Sequence, residues 1–489
     1  MRKKAAALLA ACALALTAPV LNGCTVNPAT GDRIFTGLMS AEDEIRIGRE
    51  QHPQIVKAFG GEYGTPELKK YVASIGNLLA QTVERKELQY QFTVLNSDIV
   101  NAFAIPGGYI YITRGLLALA GNEAELAAVL GHELGHVTAQ HHARRAGQEL
   151  LAGILVTGAG VLGGQGAAQA GNLAASALLP HYSREQEHQS DTLGVRYISR
   201  AGYDPHAMAG FLAKLRADTQ LQAKIMGRSP DEVDQMSYTA SHPAPVERVQ
   251  RATAIAADTK VRDPMQARDI FLQKIGGMLY GDDPEQGFVR GRVFSHPKMR
   301  FRFEVPEGYR LVNSAEAVAA FGPDGARAIF DRAPKPSDGP VSGYVQNVWA
   351  KGLNLSAVDA IKVNGLEGAT AAARANTSVG VMDVRLVAIR VDLQTIYRFT
   401  MLTPPAQTAK LSEGLRRMTY SFRTLSAQEA AALKPLRLQV VQVRAGDTVA
   451  SLAARTPFAA LREERFRVLN GLGPNDRLTA GQKVKLVTE

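Results

Sequence analysis

The sequence predicts a multidomain α+β chain, with a mainly helical first domain around a small β-hairpin, an α+β domain on an antiparallel sheet, and a small unit at the C-terminus. Three observations predict it. A length of 489 residues exceeds what one hydrophobic core serves. Helix-cap signals and Ala/Leu-rich helical segments dominate early, whereas apolar residues alternate with polar ones after Pro284. Polar and turn residues interrupt the pattern at Tyr280–Asp283 and again at Leu425–Pro435.

Composition removes several classes. With 46% hydrophobic and 21% charged residues the chain is neither disordered nor a many-span membrane protein. Both cysteines, Cys12 and Cys24, lie at the start, which excludes a disulfide scaffold. The formal charge is +10, but no Lys/Arg block has nucleic-acid-binding density, so no nucleic-acid partner is expected.

Arg2-Lys3-Lys4, the apolar run Ala5–Val20 and Leu21-Asn22-Gly23-Cys24 follow the order of a secretory signal, too short to span a bilayer well. Leu-x-Gly before a cysteine resembles the lipobox of bacterial lipoproteins. That resemblance implies removal of residues 1–23 and acylation of Cys24, and Thr25 in place of Asp implies the outer membrane. At roughly 0.8 kcal/mol per buried methylene, several acyl chains anchor a domain without a spanning helix.

Along the chain, Ser40 with Asp43 and Thr65-Pro66 predict helix starts, and Tyr90–Leu95 reads as a strand. Asn101–Thr113 predicts a hairpin turning at Pro106-Gly107-Gly108. Asn122 with Glu125 opens a strongly helical segment. Later, Met299, Phe301 and Phe303 alternate with Arg300, Arg302 and Glu304, and Tyr397, Phe399 and Met401 with Arg398 and Thr400. Helical stretches near Tyr344–Leu353 and Ala409–Met418 complete the α+β domain.

The chemistry is concentrated in His132-Glu133-Leu134-Gly135-His136. Four-residue spacing puts both imidazoles on one helix face, one turn apart, as two ligands of one zinc ion. Glu133 is then placed as a general base for the attacking water rather than as a ligand. A catalytic zinc takes three protein ligands and keeps one position open. Glu185, Glu187, His188 and Asp191 are candidates for the third, with Glu187 and Asp191 on one helical face. His141, His142, His181 and His188 read as solvated or supporting.

Asn101-Ala-Phe-Ala-Ile-Pro-Gly-Gly, His132–His136 and Arg184-x-x-Glu187-x-x-Ser190-Asp191 resemble the zinc metalloproteases that include the β-barrel assembly-enhancing protease, the heat-shock membrane protease and the CAAX prenyl protease. The resemblance implies a zincin of the gluzincin type, with Glu187 as third ligand beside His132 and His136 and Asp191 orienting a ligand histidine. Ser190 stands where Ala is commoner. It also implies that His242 and Arg248 lie beside the active site, as candidate catalytic groups for the oxyanion, and that the strand containing Asn101, Ala102, Phe103 and Ala104 takes an extended substrate by main-chain pairing. The uncharged run Leu150–Pro180 cannot then be a single membrane crossing, because it would separate Glu187 from both histidines. It reads instead as a small-residue helical pair or flap beside the cleft.

Segment 281–313 resembles the part that follows the peptidase in lipoprotein members of that family, and carries no catalytic constellation. Val441–Thr448, Val468–Leu472 and Ala480–Leu486 resemble a lysin-motif domain, which implies peptidoglycan binding. The expected organisation is a signal peptide (1–23), a zinc metallopeptidase domain (24–280), an α+β accessory domain (281–430) and a lysin-motif-like domain (436–489). The expected function is an outer-membrane-anchored periplasmic metalloendopeptidase holding one zinc per chain and cutting unfolded or misassembled envelope polypeptides. The competing reading is a chaperone-like or cell-wall-tethered scaffold with a largely closed protease site.

Overall fold

A computed structural model describes residues 24–36, 39–145, 182–227, 229, 242, 246–335, 338–377 and 380–489. The expected signal segment, His181 and the run Leu150–Pro180 lie outside the described residues. Among those described, no helix is long and apolar enough to cross a membrane.

The first region begins with β1 (Cys24–Val26) paired antiparallel to β2 (Arg33–Phe35). Helix α1 (Ala41–Ala58) opens on a Ser40–Asp43 capping box, and α2 (Pro66–Ala80) on the Thr65 hydroxyl, which accepts from the Leu68 N–H. Such caps contribute about 1 kcal/mol each. Strands β3 (Gln91–Leu95), β4 (Ala102–Ile105) and β5 (Tyr109–Thr113) form one sheet in the order β3-β5-β4, so β4 lies on its edge. The β4–β5 turn needs glycine: Gly107 has φ +84°, and a Cβ there would meet the Glu44 carbonyl oxygen at 2.8 Å.

After α3 (Arg114–Leu119) comes α4 (Glu123–Thr138), capped by the Asn122 side chain, which accepts from the Glu125 N–H. Helix α4 is buried along its whole length, including its charged and histidine side chains. Against it packs α5 (Arg184–Arg200). Their contact is made of small residues. A Cβ on Gly135 would lie 3.0 Å from the Ser190 backbone, and one on Gly194 would lie 3.0 Å from the His132 nitrogen. Helices α6 (Ala207–Ile225), α7 (Val246–Asp258) and α8 (Arg268–Ile275) complete the layer.

Next comes β6 (Leu279–Tyr280). Strands β7 (Phe288–Arg290), β8 (Val293–His296), β9 (Phe301–Glu304) and β17 (Arg423–Thr424) form a sheet in the order β17-β9-β8-β7. A seven-stranded antiparallel sheet holds β10 (Arg310–Asn313), β11 (Ala317–Phe321), β12 (Arg327–Arg332), β13 (Asp359–Val363), β14 (Leu366–Thr377), β15 (Gly380–Asp392) and β16 (Thr395–Thr403), in the order β10-β11-β12-β16-β15-β14-β13. Helix α9 (Thr408–Ser421) packs on both, over a core that includes Phe301, Phe303, Phe330, Phe399 and Phe422. Two local expectations shift. Met299 is exposed and Arg300 turns at φ +54°, so the alternation starts at Phe301. The helical stretch near Tyr344 runs over 341–349, ending in a π turn, and not to Leu353.

The C-terminal unit runs β18 (Leu436–Gln442), α10 (Val449–Ala453), α11 (Arg462–Asn470) and β19 (Lys483–Thr488). It is not free-standing, because β6 completes its sheet in the order β19-β18-β6. Leu436, Leu438, Leu469 and Val487 also share one core with α4. Fully buried Lys485 donates through Nζ to the carbonyls of Ala118, Leu119 and Ala120, at 2.6, 3.1 and 2.7 Å. These are carbonyls that α3 leaves unpaired at its C-terminal end. Replacing Lys485 by Met keeps the apolar stem but orphans those acceptors. The variant is expected to lose roughly 2–3 kcal/mol, read as a lower thermal unfolding midpoint and easier proteolysis between α9 and β18. An unchanged midpoint would show that the tie is not structural.

Candidate metal centre

Helix α4 places His132 and His136 one turn apart, with their Nε2 atoms 3.0 Å from each other. The α4–α5 contact brings Glu187 to them: Oε2 is 3.5 Å from His132 Nε2 and Oε1 is 3.4 Å from His136 Nε2. His242 Nδ1 lies 2.9 Å from Glu187 Oε1 and 3.2 Å from His132 Nε2. One donor atom from each of the four residues lies within 4.8 Å of the other three, close enough to share one ion at zinc–nitrogen and zinc–oxygen lengths of about 2.0–2.2 Å. Among the described residues this is the one cluster of its kind, and it can hold a metal ion.

Each donor is held from behind. His132 Nδ1 is 2.9 Å from Asp191 Oδ1, the carboxylate–histidine arrangement that fixes a ligand ring and its tautomer. Asp191 is gripped by Arg248, whose Nε and Nη2 lie 2.8 and 2.7 Å from its two oxygens, while Arg248 Nη1 reaches Glu187 Oε2 at 2.6 Å. His136 Nδ1 meets His141 Nδ1 at 2.9 Å, and His141 Nε2 in turn meets Gln189 Oε1 at 2.9 Å. The Tyr182 ring stacks on His136 with centroids 3.7 Å apart.

Burial and charge act against each other throughout. Burial alone would raise Glu187, but His242 and Arg248 reverse that and hold the carboxyl well below its ordinary range. Asp191 is held low against burial in the same way, chiefly by Arg248. Burial drives His136 well down, leaving the neutral ring a metal needs. Burial also pushes His132 down, but Asp191 and Glu187 overturn it and take that ring up to about 10. Metal uptake and proton release are therefore coupled at His132.

Glu133 is almost fully buried beside the cluster, and its Oε2 has no hydrogen-bond partner among the described residues. Burial lifts its carboxyl above the usual range, against the opposing charges of His242 and His132. Hydrogen bonding of Thr113 to Asn101, carried on by β-alternation, leaves the backbone groups of Ala102 and Ala104 on the open side of β4. The Ala104 backbone there hydrogen-bonds Glu133 and His142, and the Tyr182 hydroxyl meets His142 Nε2 at 2.7 Å.

The structure thus brings together His132, Glu133, His136, Glu187, Asp191, His242, Arg248 and the Ala102–Ala104 strand, with Phe103 turned into the core. Arg248 directs Nε, Nη1 and Nη2 at Asp191 and Glu187, and His242 stands in the candidate cluster itself, beside Glu187 and His132. Glu185 is not in the cluster, and His188 instead approaches Glu247 at 3.7 Å. Of the two readings open for His141, solvated or supporting, the buried ring has the second, whereas the stacking of Tyr182 on His136 was not visible in the sequence.

Residues 66–256 match the Peptidase family M48 model and residues 441–487 match the LysM domain model. The chain is 31% identical over 257 residues to the beta-barrel assembly-enhancing protease of Yersinia pestis, covering 50% of each chain. It is 29% identical to the protein of that name in Escherichia coli K12, covering 48% of this chain and 49% of that one. It is also 29% identical to the metalloprotease LoiP of E. coli K12, covering 42% of this chain and 73% of the relative. The chain spans about half the length of the first two curated relatives.

Removing the carboxylate behind His132 should be felt at the metal before the fold. Asp191→Asn is expected to weaken binding of a divalent ion by about 10- to 100-fold, measured by competition with a chromogenic chelator. Affinity equal to that of the unsubstituted chain would remove Asp191 from the site.

Proposed function

We propose that the chain is a zinc metalloendopeptidase of the gluzincin type, anchored to the periplasmic face of the outer membrane through acylated Cys24, that cuts unfolded or misassembled envelope proteins. The observation that carries this reading is the convergent donor set, with a Glu133 oxygen beside it that has no hydrogen-bond partner among the described residues. The organisation proposed is a signal peptide over 1–23, peptidase 24–280, accessory domain 281–430 and lysin-motif-like domain 436–489, the last a candidate for peptidoglycan binding.

His132, His136 and Glu187 would hold one zinc, which when bound supplies Lewis-acid polarisation of the scissile carbonyl and acidifies water. Glu133 removes the proton from the attacking water and returns it to the leaving nitrogen, a task suited to a carboxyl lifted by burial. The open side of β4 would take the substrate as an added strand, so only locally unfolded chain fits. Arg248 orients Glu187 and Asp191. The tether would be short: three residues after Cys24, the Asn27 side chain donates to the Thr138 carbonyl at the end of α4, at 2.8 Å.

One observation favours a second reading, in which the same peptidase rests closed. With His242 as a fourth donor the shell has no vacant corner, as in structural zinc sites. His142 and Tyr182 meanwhile cover the strand edge. A scaffold that never cuts is the extreme form of this state.

Glu133→Gln is expected to cut cleavage of an unfolded outer-membrane substrate by at least about a hundredfold while keeping its metal. Cleavage at the unsubstituted rate would end the enzyme reading. His242→Ala discriminates the two states: a resting closed enzyme cleaves faster without that ring, whereas an enzyme that needs His242 for chemistry slows.

A further inference from the structure

The α+β region contains a groove of about 880 Å³ between α9 and the face of β14, β15 and β16. We propose that it binds a monoanionic amphiphile, a hydrocarbon chain ending in a carboxylate, with Arg385 holding the anion. This site is independent of the metal centre and its chemistry.

Strand register shows how the groove is built. Ala372, Arg385 and Met401 stand side by side across β14, β15 and β16, and Thr370, Val387 and Phe399 form the next row on the same face. Buried Val387, Met401 and Leu415 make the floor apolar. The volume lies within the roughly 300–1,000 Å³ of small-molecule sites.

Most of the polar lining is already committed, and Arg385 is the one cation in it that is not. Thr370 donates to the Leu386 carbonyl, Ser412 to that of Ala409 and Thr419 to that of Leu415. Arg374 pairs with Asp383 at 2.7 Å, and Arg416 with Glu413 at 2.9 Å. Arg385 is exposed and makes no hydrogen bond or ion pair with any described residue. Its cross-strand neighbours are an alanine and a methionine, so strand pairing does not account for a cation there. A guanidinium beside an apolar floor matches a single carboxylate, which it can hold through two parallel hydrogen bonds.

The same accounting selects hydrocarbon over peptide. The groove lies on a sheet face, and β15 and β16 are each hydrogen-bonded to neighbours on both sides. Those two strands offer no edge there, and the Thr370, Ser412 and Thr419 hydroxyls are turned to their own backbone. A peptide buried in it would leave N–H and C=O groups unpaired, at about 1–3 kcal/mol each. An alkyl chain has none to satisfy.

The test is calorimetric titration of the full chain from Cys24 onward, prepared without acylation, with dodecanoate below its micellar concentration and with dodecan-1-ol. Dodecanoate is expected to bind with one-to-one stoichiometry and more tightly than the alcohol. Arg385→Gln should weaken dodecanoate by about tenfold or more and leave the alcohol unchanged. Ala372→Trp should abolish both by filling the groove. Unchanged unfolding midpoints establish that either variant is folded, and Arg385, being exposed, is the safer of the two. Absence of dodecanoate binding, affinity unaffected by Arg385→Gln, or tighter binding of an apolar hexapeptide than of dodecanoate overturns the proposal.

Discussion

Helices α4 and α5 approach so closely that a methyl group on Gly135 would press on the Ser190 backbone at 3.0 Å, and the metal centre depends on that approach. Two imidazoles on one helix make only half a coordination shell. The carboxylate that extends it lies on a second helix, and its reach is one side chain long. Small residues at Gly131, Gly135, Ser190 and Gly194 remove the bulk that would hold the helices at an ordinary spacing of about 8–10 Å. Ser190 is therefore a packing residue: at the helix contact it is nearly as small as the alanine commoner there, and it is fully buried.

The close contact concentrates charge where water is scarce. Glu133, Glu187, Asp191 and Arg248 are all nearly inaccessible. Buried charges are tolerated only when they are paired and hydrogen-bonded. Arg248 bridges Glu187 and Asp191, and His132 takes the remaining carboxylate contact. Among the described residues one oxygen of Glu133 and Nε2 of His242 are left without a hydrogen-bond partner, and such unsatisfied buried groups mark sites where chemistry outweighs stability. The same network explains why Arg248 is a positioning residue. Its guanidinium makes contacts of 2.6 to 2.8 Å with two carboxylates and so fixes both against each other.

The helical scaffold is braced from both ends of the chain. Asn27, just after Cys24, closes on the end of α4. Lys485, close to the last residue, closes on the end of α3. The first tie sets the reach of any membrane tether to a few residues. The second makes the C-terminal unit share the core of the helical region, with exposed loops at 444–446 and 474–477. The long antiparallel sheet between them in sequence has a core of its own, in which Phe301, Phe330 and Phe422 stack.

Local chemistry was legible in the sequence. The caps at Ser40, Thr65 and Asn122, the hairpin at Pro106–Gly108 and the one-turn spacing of His132 and His136 all rest on residues within a few positions of each other. Periodicity also separated the helical first region from the sheet-rich second one, although it began a strand two residues early at Met299, where a left-handed Arg300 ends the turn. What only the tertiary structure decided involves residues far apart in the chain. The meeting of Glu187 with His132 and His136, the approach of His242 110 positions after His132, and the anchoring of Lys485 on Ala118, 367 positions earlier, all arise from packing. Helical and strand periods fix which face a side chain occupies, but which faces meet depends on the volume and burial of every intervening residue, and no local pattern carries that information.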